Sequence, residues 1–84
     1  MVDLECRLVR VEGRVQGVGF RETCVLQAQS MHLTGWVRNR TDGSVEALLQ
    51  GPADAVARMV SWLHKGPPLA RVDRVTVSAV SVAV

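Results

Sequence analysis

From Leu4 to Gly13 the chain is rich in β-branched and long apolar side chains and ends on a glycine, which predicts a first strand. A segment with three glycines follows, Gly13-Arg14-Val15-Gln16-Gly17-Val18-Gly19. Apolar residues then fall at Phe20, Cys24, Ala28 and Met31. Steps of four, four and three put them on one face of a helix from about Arg21 to His32. Thr34 to Asn39 predicts a second strand and Ser44 to Gln50 a third, joined by Thr41-Asp42-Gly43, whose Asp-Gly pair signals a tight hairpin. Gly51-Pro52-Ala53-Asp54 opens a second helix with Asp54 as its expected N-cap. Ala55, Val56, Met59, Val60 and Leu63 form its inner stripe, and Gly66-Pro67-Pro68 stops it. From Val72 valines dominate, so the last element is a strand.

The order β-α-β-β-α-β predicts the split β-α-β arrangement called ferredoxin-like. It is an α/β (α+β) sandwich in which two helices cover one face of an antiparallel sheet, leaving the other face partly wet. The last strand carries a conflict of parity. Val75, Val77 and Ala79 share one face, whereas Val80, Val82 and Val84 take the other, so a bulge or break is expected near Ala79-Val80.

With 84 residues, the chain has room for one hydrophobic core, and 1–84 is expected to be a single domain. No apolar run reaches the roughly 18–20 residues that span a bilayer. The start, Met1-Val2-Asp3-Leu4-Glu5, is acidic and lacks the basic segment of a secretory signal, so a cytoplasmic location is expected. Cys6 and Cys24 are the only cysteines, without a CxxC pair or a histidine cluster at ligand spacing. No metal and no cofactor are therefore expected, and two buried thiols are favoured over a disulfide. The net charge of +2 suits a small anionic substrate but is too weak to indicate nucleic acid. The chain is expected to act as a monomer on a small molecule.

The segment Gln16-Gly17-Val18-Gly19-Phe20-Arg21 carries the chemistry. It joins a strand to a helix, where helical N–H groups point outward unpaired. Glycines let the backbone take positive φ and approach a ligand without a Cβ in the way. N–H groups of Gln16, Gly17, Val18, Gly19 and Phe20 gathered at a helix start make a cradle for a tetrahedral oxyanion. Arg21 adds a planar, permanently charged fork for two phosphoryl oxygens. The spacing is neither that of a dinucleotide-binding Gly-x-Gly-x-x-Gly nor that of a Walker loop, which would end in Lys-Ser or Lys-Thr.

Asn39 stands where the second strand meets the hairpin. Asparagine is common in turns, but the split topology brings this strand end toward the glycine loop. Its amide can accept from a water and donate to an oxygen at once, so it can orient a nucleophile without being a base. No general acid or base lies in these motifs. A carboxylate leaving group needs none, which points to acyl phosphates rather than phosphate monoesters.

The run Val11-Glu12-Gly13-Arg14-Val15-Gln16-Gly17-Val18-Gly19-Phe20-Arg21 closely resembles the signature of the acylphosphatase family. So do Leu33-Thr34-Gly35-Trp36-Val37-Arg38-Asn39 and Asp42-Gly43-Ser44-Val45-Glu46, and the likeness continues through Trp62-Leu63, Gly66-Pro67 and Ala70-Arg71-Val72. The resemblance implies hydrolysis of acyl phosphates to carboxylate and phosphate without a cofactor. It implies that Arg21 binds phosphate and Asn39 orients water, with the substrate's own phosphate helping to take up the proton.

Three departures stand out. His32 replaces the glycine that usually ends the first helix, at a position expected to need positive φ. Thr23 stands where many relatives carry an aromatic residue, and ending at Val84 is expected to leave a sheet edge short or altered. Two non-enzymatic alternatives are a regulatory anion-binding domain and an RNA-binding sheet. Two Trp, one Phe and no Tyr supply the RNA platform poorly. A further alternative is the corresponding domain of a larger carbamoyl-transferring maturation protein.

Overall fold

The computed structural model describes residues 3–83, so Met1, Val2 and Val84 lie outside it. Its elements are β1 (Leu4–Arg14), α1 (Phe20–Ser30), β2 (Thr34–Asn39), β3 (Val45–Pro52), α2 (Ala53–Leu63) and β4 (Arg71–Val80). The four strands form one antiparallel sheet in the order β2-β3-β1-β4, the ferredoxin-like arrangement expected from the element order. No helix among the described residues is long and apolar enough to cross a membrane.

Alternation along the strands decides what each face carries. Val9 and Val11 of β1 and Val45, Ala47 and Leu49 of β3 point to the helices and are fully buried. Phe20 and Cys24 of α1 meet them, as do Ala55, Val56, Met59 and Leu63 of α2. Both helical stripes read from apolar spacing are therefore the core-facing ones. Ala28 and Met31 pack at the margin of the same cluster.

Local chemistry fixes the element ends. His32 has φ 57°, the only positive φ on a non-glycine among the described residues. The Leu33 N–H donates to the Ala28 carbonyl at 3.0 Å and the His32 N–H to that of Gln29 at 3.0 Å. This crossed pair is a Schellman ending, which requires the left-handed residue found at His32. The helix stops at Ser30 rather than running on to His32.

At the β2–β3 hairpin the Arg40 N–H donates to the Ser44 carbonyl at 2.9 Å and the Gly43 N–H to that of Arg40 at 3.1 Å, with Gly43 at φ 91°. The Asp-Gly signal thus builds a three-residue loop whose glycine takes the left-handed position. Asp42 Oδ1 accepts from the Ser44 hydroxyl at 2.6 Å and from its N–H at 2.9 Å. The Ser44 hydroxyl, then its N–H, hold the Asp42 carboxyl below its ordinary range, with Arg40 and Arg10 adding to the effect.

Two expectations are corrected. The N-cap of α2 is Pro52, not Asp54. The Ala53 N–H is held by the Asp3 carbonyl at 2.9 Å, which starts the helix earlier and leaves Asp54 in the first turn, where its charge favours the helix dipole. The irregularity of β4 lies not at Ala79-Val80 but at its beginning, where Glu12 pairs with Arg74 and Gly13 with Val72, leaving Asp73 extra. A side chain on Gly13 would meet the Arg71 carbonyl oxygen at 2.2 Å, so β4 closes on β1 there only because that residue is glycine.

Beyond the bulge the strand pairs without a break to Cys6↔Val80. Val80 and Val82 are half-exposed: Val80 belongs to the face away from the helices, and Val82 follows the strand's end. Val84, grouped with them by sequence, is outside the described residues. Cys6 shares the outer face with Val80, whereas Cys24 lies in the core between sheet and helices. Both thiols are free and buried.

Replacing His32 by Gly should raise stability by about 1 kcal/mol by removing the left-handed penalty of a side chain, read as a higher urea midpoint; a lower midpoint would refute the positive-φ account. Burial pushes the Cys24 thiol up from its ordinary 9.0 to about 12. In that interval the unfolded chain has lost the proton that the folded chain keeps, so stability should fall as pH rises from 9.0 toward 12. Cys24→Ala should flatten that slope in denaturation curves taken across the same range.

Candidate active site

Between β1 and α1 the chain turns through residues 16–19. Gly17 has φ 75° and Gly19 φ 78°, on either side of Val18 in ordinary backbone. Alternation of left-handed and ordinary residues aims successive N–H groups into one concavity. Gly19 is the N-cap of α1, and no side chain caps that end. The turn is closed by bonds to the Gly19 carbonyl, from the Thr23 N–H at 3.1 Å and the Thr23 hydroxyl at 2.8 Å. None of the N–H groups from Gln16 to Glu22 has a hydrogen-bond acceptor among the described residues. Donors left open like this at a helix start attract an anion.

Gln16 has a second part that sequence reasoning missed. Its side-chain amide donates to the Arg40 carbonyl at 2.8 Å and to the Ser44 carbonyl at 2.9 Å. The glycine loop is thereby fastened to the hairpin that begins one residue after Asn39. Contacts across 24 and 28 positions leave no local signal in a sequence. Only the Asp-Gly turn, which fixes where both carbonyls lie, hinted at a docking point.

Arg21 follows the loop in the first turn of α1, with about half of its side chain exposed. Its closest partner is Glu22, at 3.5 Å, an exposed contact worth little. Arg38 and Arg40 contrast with it. Both are engaged by the buried Glu46, Arg38 through Nε at 2.8 Å and Arg40 through Nη1 at 3.1 Å. Arg38 also lies 5.0 Å from the Trp36 ring centre. Arg21 has no partner beyond that exposed contact, which leaves its fork accessible to a ligand.

Asn39 ends β2, paired with Val45, which in turn pairs with Val11 of β1. It therefore stands at the end of the sheet where β1 gives way to the glycine loop. β3 lies between β1 and β2, so β2 is two strand spacings from β1, roughly 10 Å. The helix α1 bridges that gap, because Arg21 lines a groove with Val37, two residues before Asn39 on the same face of β2. Asn39 itself borders a separate depression with Arg38, Arg40 and Thr41. The fold thus brings Arg21 and the glycine loop to the same end of the sheet as Asn39, but Arg21 and Asn39 line different hollows.

The acylphosphatase family model matches residues 7–83. The chain belongs to the acylphosphatase family. An acylphosphatase of Azoarcus sp. strain BH72 is 55% identical over 88% of this chain and 76% of its own. The structure of an acylphosphatase from Coxiella burnetii superposes with a TM-score of 0.92 at 40% identity, covering 96% of this chain and 85% of that one. The same fold recurs inside a full-length HypF crystallised in a phosphate- and nucleotide-bound form. There the TM-score is 0.90 at 26% identity, over 98% of this chain and 11% of that one. This acylphosphatase-family chain is accordingly an enzyme of a hydrolase family with the ferredoxin-like fold.

The other singled-out residues have structural roles. Trp62 packs on Phe20 with ring centres 5.8 Å apart. His64 places Nδ1 2.9 Å from the Val60 carbonyl oxygen at the end of α2. Thr23 is the residue that bonds back to Gly19. Gln16→Met should lower the unfolding free energy by about 1 kcal/mol, because the Arg40 and Ser44 carbonyls each lose one of two donors and keep the backbone one. Equal urea midpoints for variant and wild type would show that the amide does not fasten the loop.

Proposed function

We propose that this chain hydrolyses the carboxyl–phosphate bond of acyl phosphates, giving a carboxylate and inorganic phosphate. The observation that carries this reading is the run of N–H groups from Gln16 to Glu22 without acceptors among the described residues, followed by the half-exposed guanidinium of Arg21. In the proposed reaction the amides of Gln16, Gly17, Val18, Gly19 and Phe20 and the Arg21 fork hold the phosphoryl oxygens. They are placed before the substrate arrives, so stabilising the charge demands little rearrangement at the moment of reaction. The Asn39 amide orients a water in line with the bond that breaks.

Water oxygen bonds to phosphorus, the bond from phosphorus to the carboxylate oxygen breaks, and that oxygen leaves with the electron pair. The proton of the water passes to a phosphoryl oxygen, and phosphate then leaves. Because the carboxylate departs as a weak base, no side chain has to protonate it. A loose transition state asks mainly for position and charge, which are what these residues offer.

We further take 1–84 as a single domain acting as a monomer in the cytoplasm on a small-molecule acyl phosphate. One continuous buried cluster supports the single domain, and two free thiols suit a reducing compartment. Size-exclusion chromatography with light scattering reads the oligomeric state directly.

Wild-type protein should hydrolyse acetyl or benzoyl phosphate with EDTA present. Arg21→Ala should lose about 10²–10³-fold in kcat, and Asn39→Ala roughly 10²-fold, with both variants keeping the wild-type thermal transition. A folded Arg21→Ala protein with full turnover would sink the assignment. Phosphate bound by a wild-type protein that turns over no acyl phosphate would favour a regulatory anion-binding domain instead.

A further inference from the structure

The glycine loop is held at both ends by side chains. At its start the Gln16 amide is bonded to two carbonyls of the hairpin. At its end the Gly19 carbonyl accepts the Thr23 hydroxyl at 2.8 Å and the Thr23 N–H at 3.1 Å. Between these points Val18 packs against the core, but a Cβ built on Gly17 or on Gly19 would meet nothing within 4 Å. Gly19 itself is left-handed, with φ 78° and ψ 16°, and no side chain caps the helix that it opens. A glycine takes positive and negative φ about equally readily, so its own backbone does little to hold the next peptide in one orientation. The bonds to its carbonyl do.

A trans peptide is planar, so the Gly19 carbonyl and the Phe20 N–H point in opposite directions. Both Thr23 bonds draw that carbonyl along α1, which turns the Phe20 N–H out of the helix start, where it has no acceptor among the described residues. We propose that Thr23 is a positioning residue for the oxyanion cradle, whose hydroxyl keeps the Phe20 N–H aimed at the phosphoryl group. The inference rests on the reading of residues 16–20 as that cradle, and Thr23 acts through the peptide rather than on the substrate. The hydroxyl works in two ways that add. It is a second donor that resists a flip of the peptide, and by polarising the carbonyl it makes the N–H of the same peptide a stronger donor. Inside a helix a threonine bond to the carbonyl four residues back contributes little to stability. Here that carbonyl belongs to the loop, so losing the hydroxyl should show in anion binding rather than in folding.

The test follows inorganic phosphate binding and acetyl phosphate hydrolysis in the full chain, as wild type, Thr23→Val, Thr23→Ala and Thr23→Ser. In wild type a phosphate titration should move the Phe20 amide proton resonance downfield as the bond to the anion forms. Thr23→Val and Thr23→Ala should shrink that displacement, weaken phosphate binding about threefold and lower kcat/KM about fivefold. Their urea midpoints should match wild type. Thr23→Ser keeps the hydroxyl and should stay within about twofold of wild type in both measurements. Unchanged phosphate affinity and an unchanged Phe20 response in the hydroxyl-free variants would overturn the proposal. So would a loss of affinity that Thr23→Ser shares, or one matched by a lower urea midpoint, because a structural defect would then account for it. If wild type binds phosphate with the Phe20 response yet turns over no acyl phosphate, the positioning role stands and the hydrolase reading falls. Folded wild type that neither binds phosphate nor hydrolyses acetyl phosphate removes both.

Discussion

β1 is the strand on which everything else is registered. It pairs with β3 from Leu4 to Val11 and with β4 from Cys6 to Arg14, so its last residues are zipped on one side only. That asymmetry opens a gap beside Glu12, Gly13 and Arg14. The chain leaves the sheet there with an unclaimed flank, and the turn of the β2–β3 hairpin faces Glu12 and Gly13 across a hollow of about 300 Å³. Gln16 closes the join with one amide on two carbonyls. The amide cradle, the hairpin and the end of β2 are consequently parts of one rigid corner, set by where pairing stops.

Charge is distributed around this corner so that the hairpin arginines are committed and Arg21 has only an exposed partner. Glu46 is buried on the outer face, and Arg38 and Arg40 both turn to it. Asp42 is likewise occupied by Ser44. Arg21 belongs to α1 rather than to the sheet and has only an exposed neighbour at 3.5 Å. An anion at the cradle would thus meet backbone donors and a guanidinium that no structural ion pair competes for. This separation between cations that stiffen the hairpin and a cation left for a ligand follows from which element each arginine rides on.

Much of this was legible in the sequence, for local reasons. The two helical stripes, the element order and the left-handed His32 all depend on spacings of three or four residues or on one turn of backbone. The glycine loop and Arg21 are contiguous, so their kinship showed as well, and the likeness to acylphosphatases named the family. Whatever depends on partners distant in sequence was harder to read. Parity told us that Val75 and Val80 face opposite ways, but not that the outer face would accept Val80. Parity alone therefore predicts a bulge between them, whereas pairing puts it at Asp73. The Pro52 cap depends on the Asp3 carbonyl, some fifty positions away, and the Gln16 amide on a hairpin it never adjoins in sequence. Asn39 lies between these cases: strand order sets it at the right end of the sheet, but the way α1 lies across β2 gives Arg21 a groove with Val37 and leaves Asn39 in a depression of its own.

The two cysteines illustrate what a sheet does besides support a site. Cys6 is sealed on the outer face and Cys24 in the core, with the hydrogen-bonded ladder of β1 and its neighbours as a wall between them. Sulfur atoms so divided cannot meet while the ladder is intact. An intramolecular bridge between them would therefore be a fossil of an opened chain, and an oxidant would act as a ratchet, trapping each molecule that had lost its sheet. The native fold keeps two thiols in a small protein without having to bond them or to hide them from each other by distance.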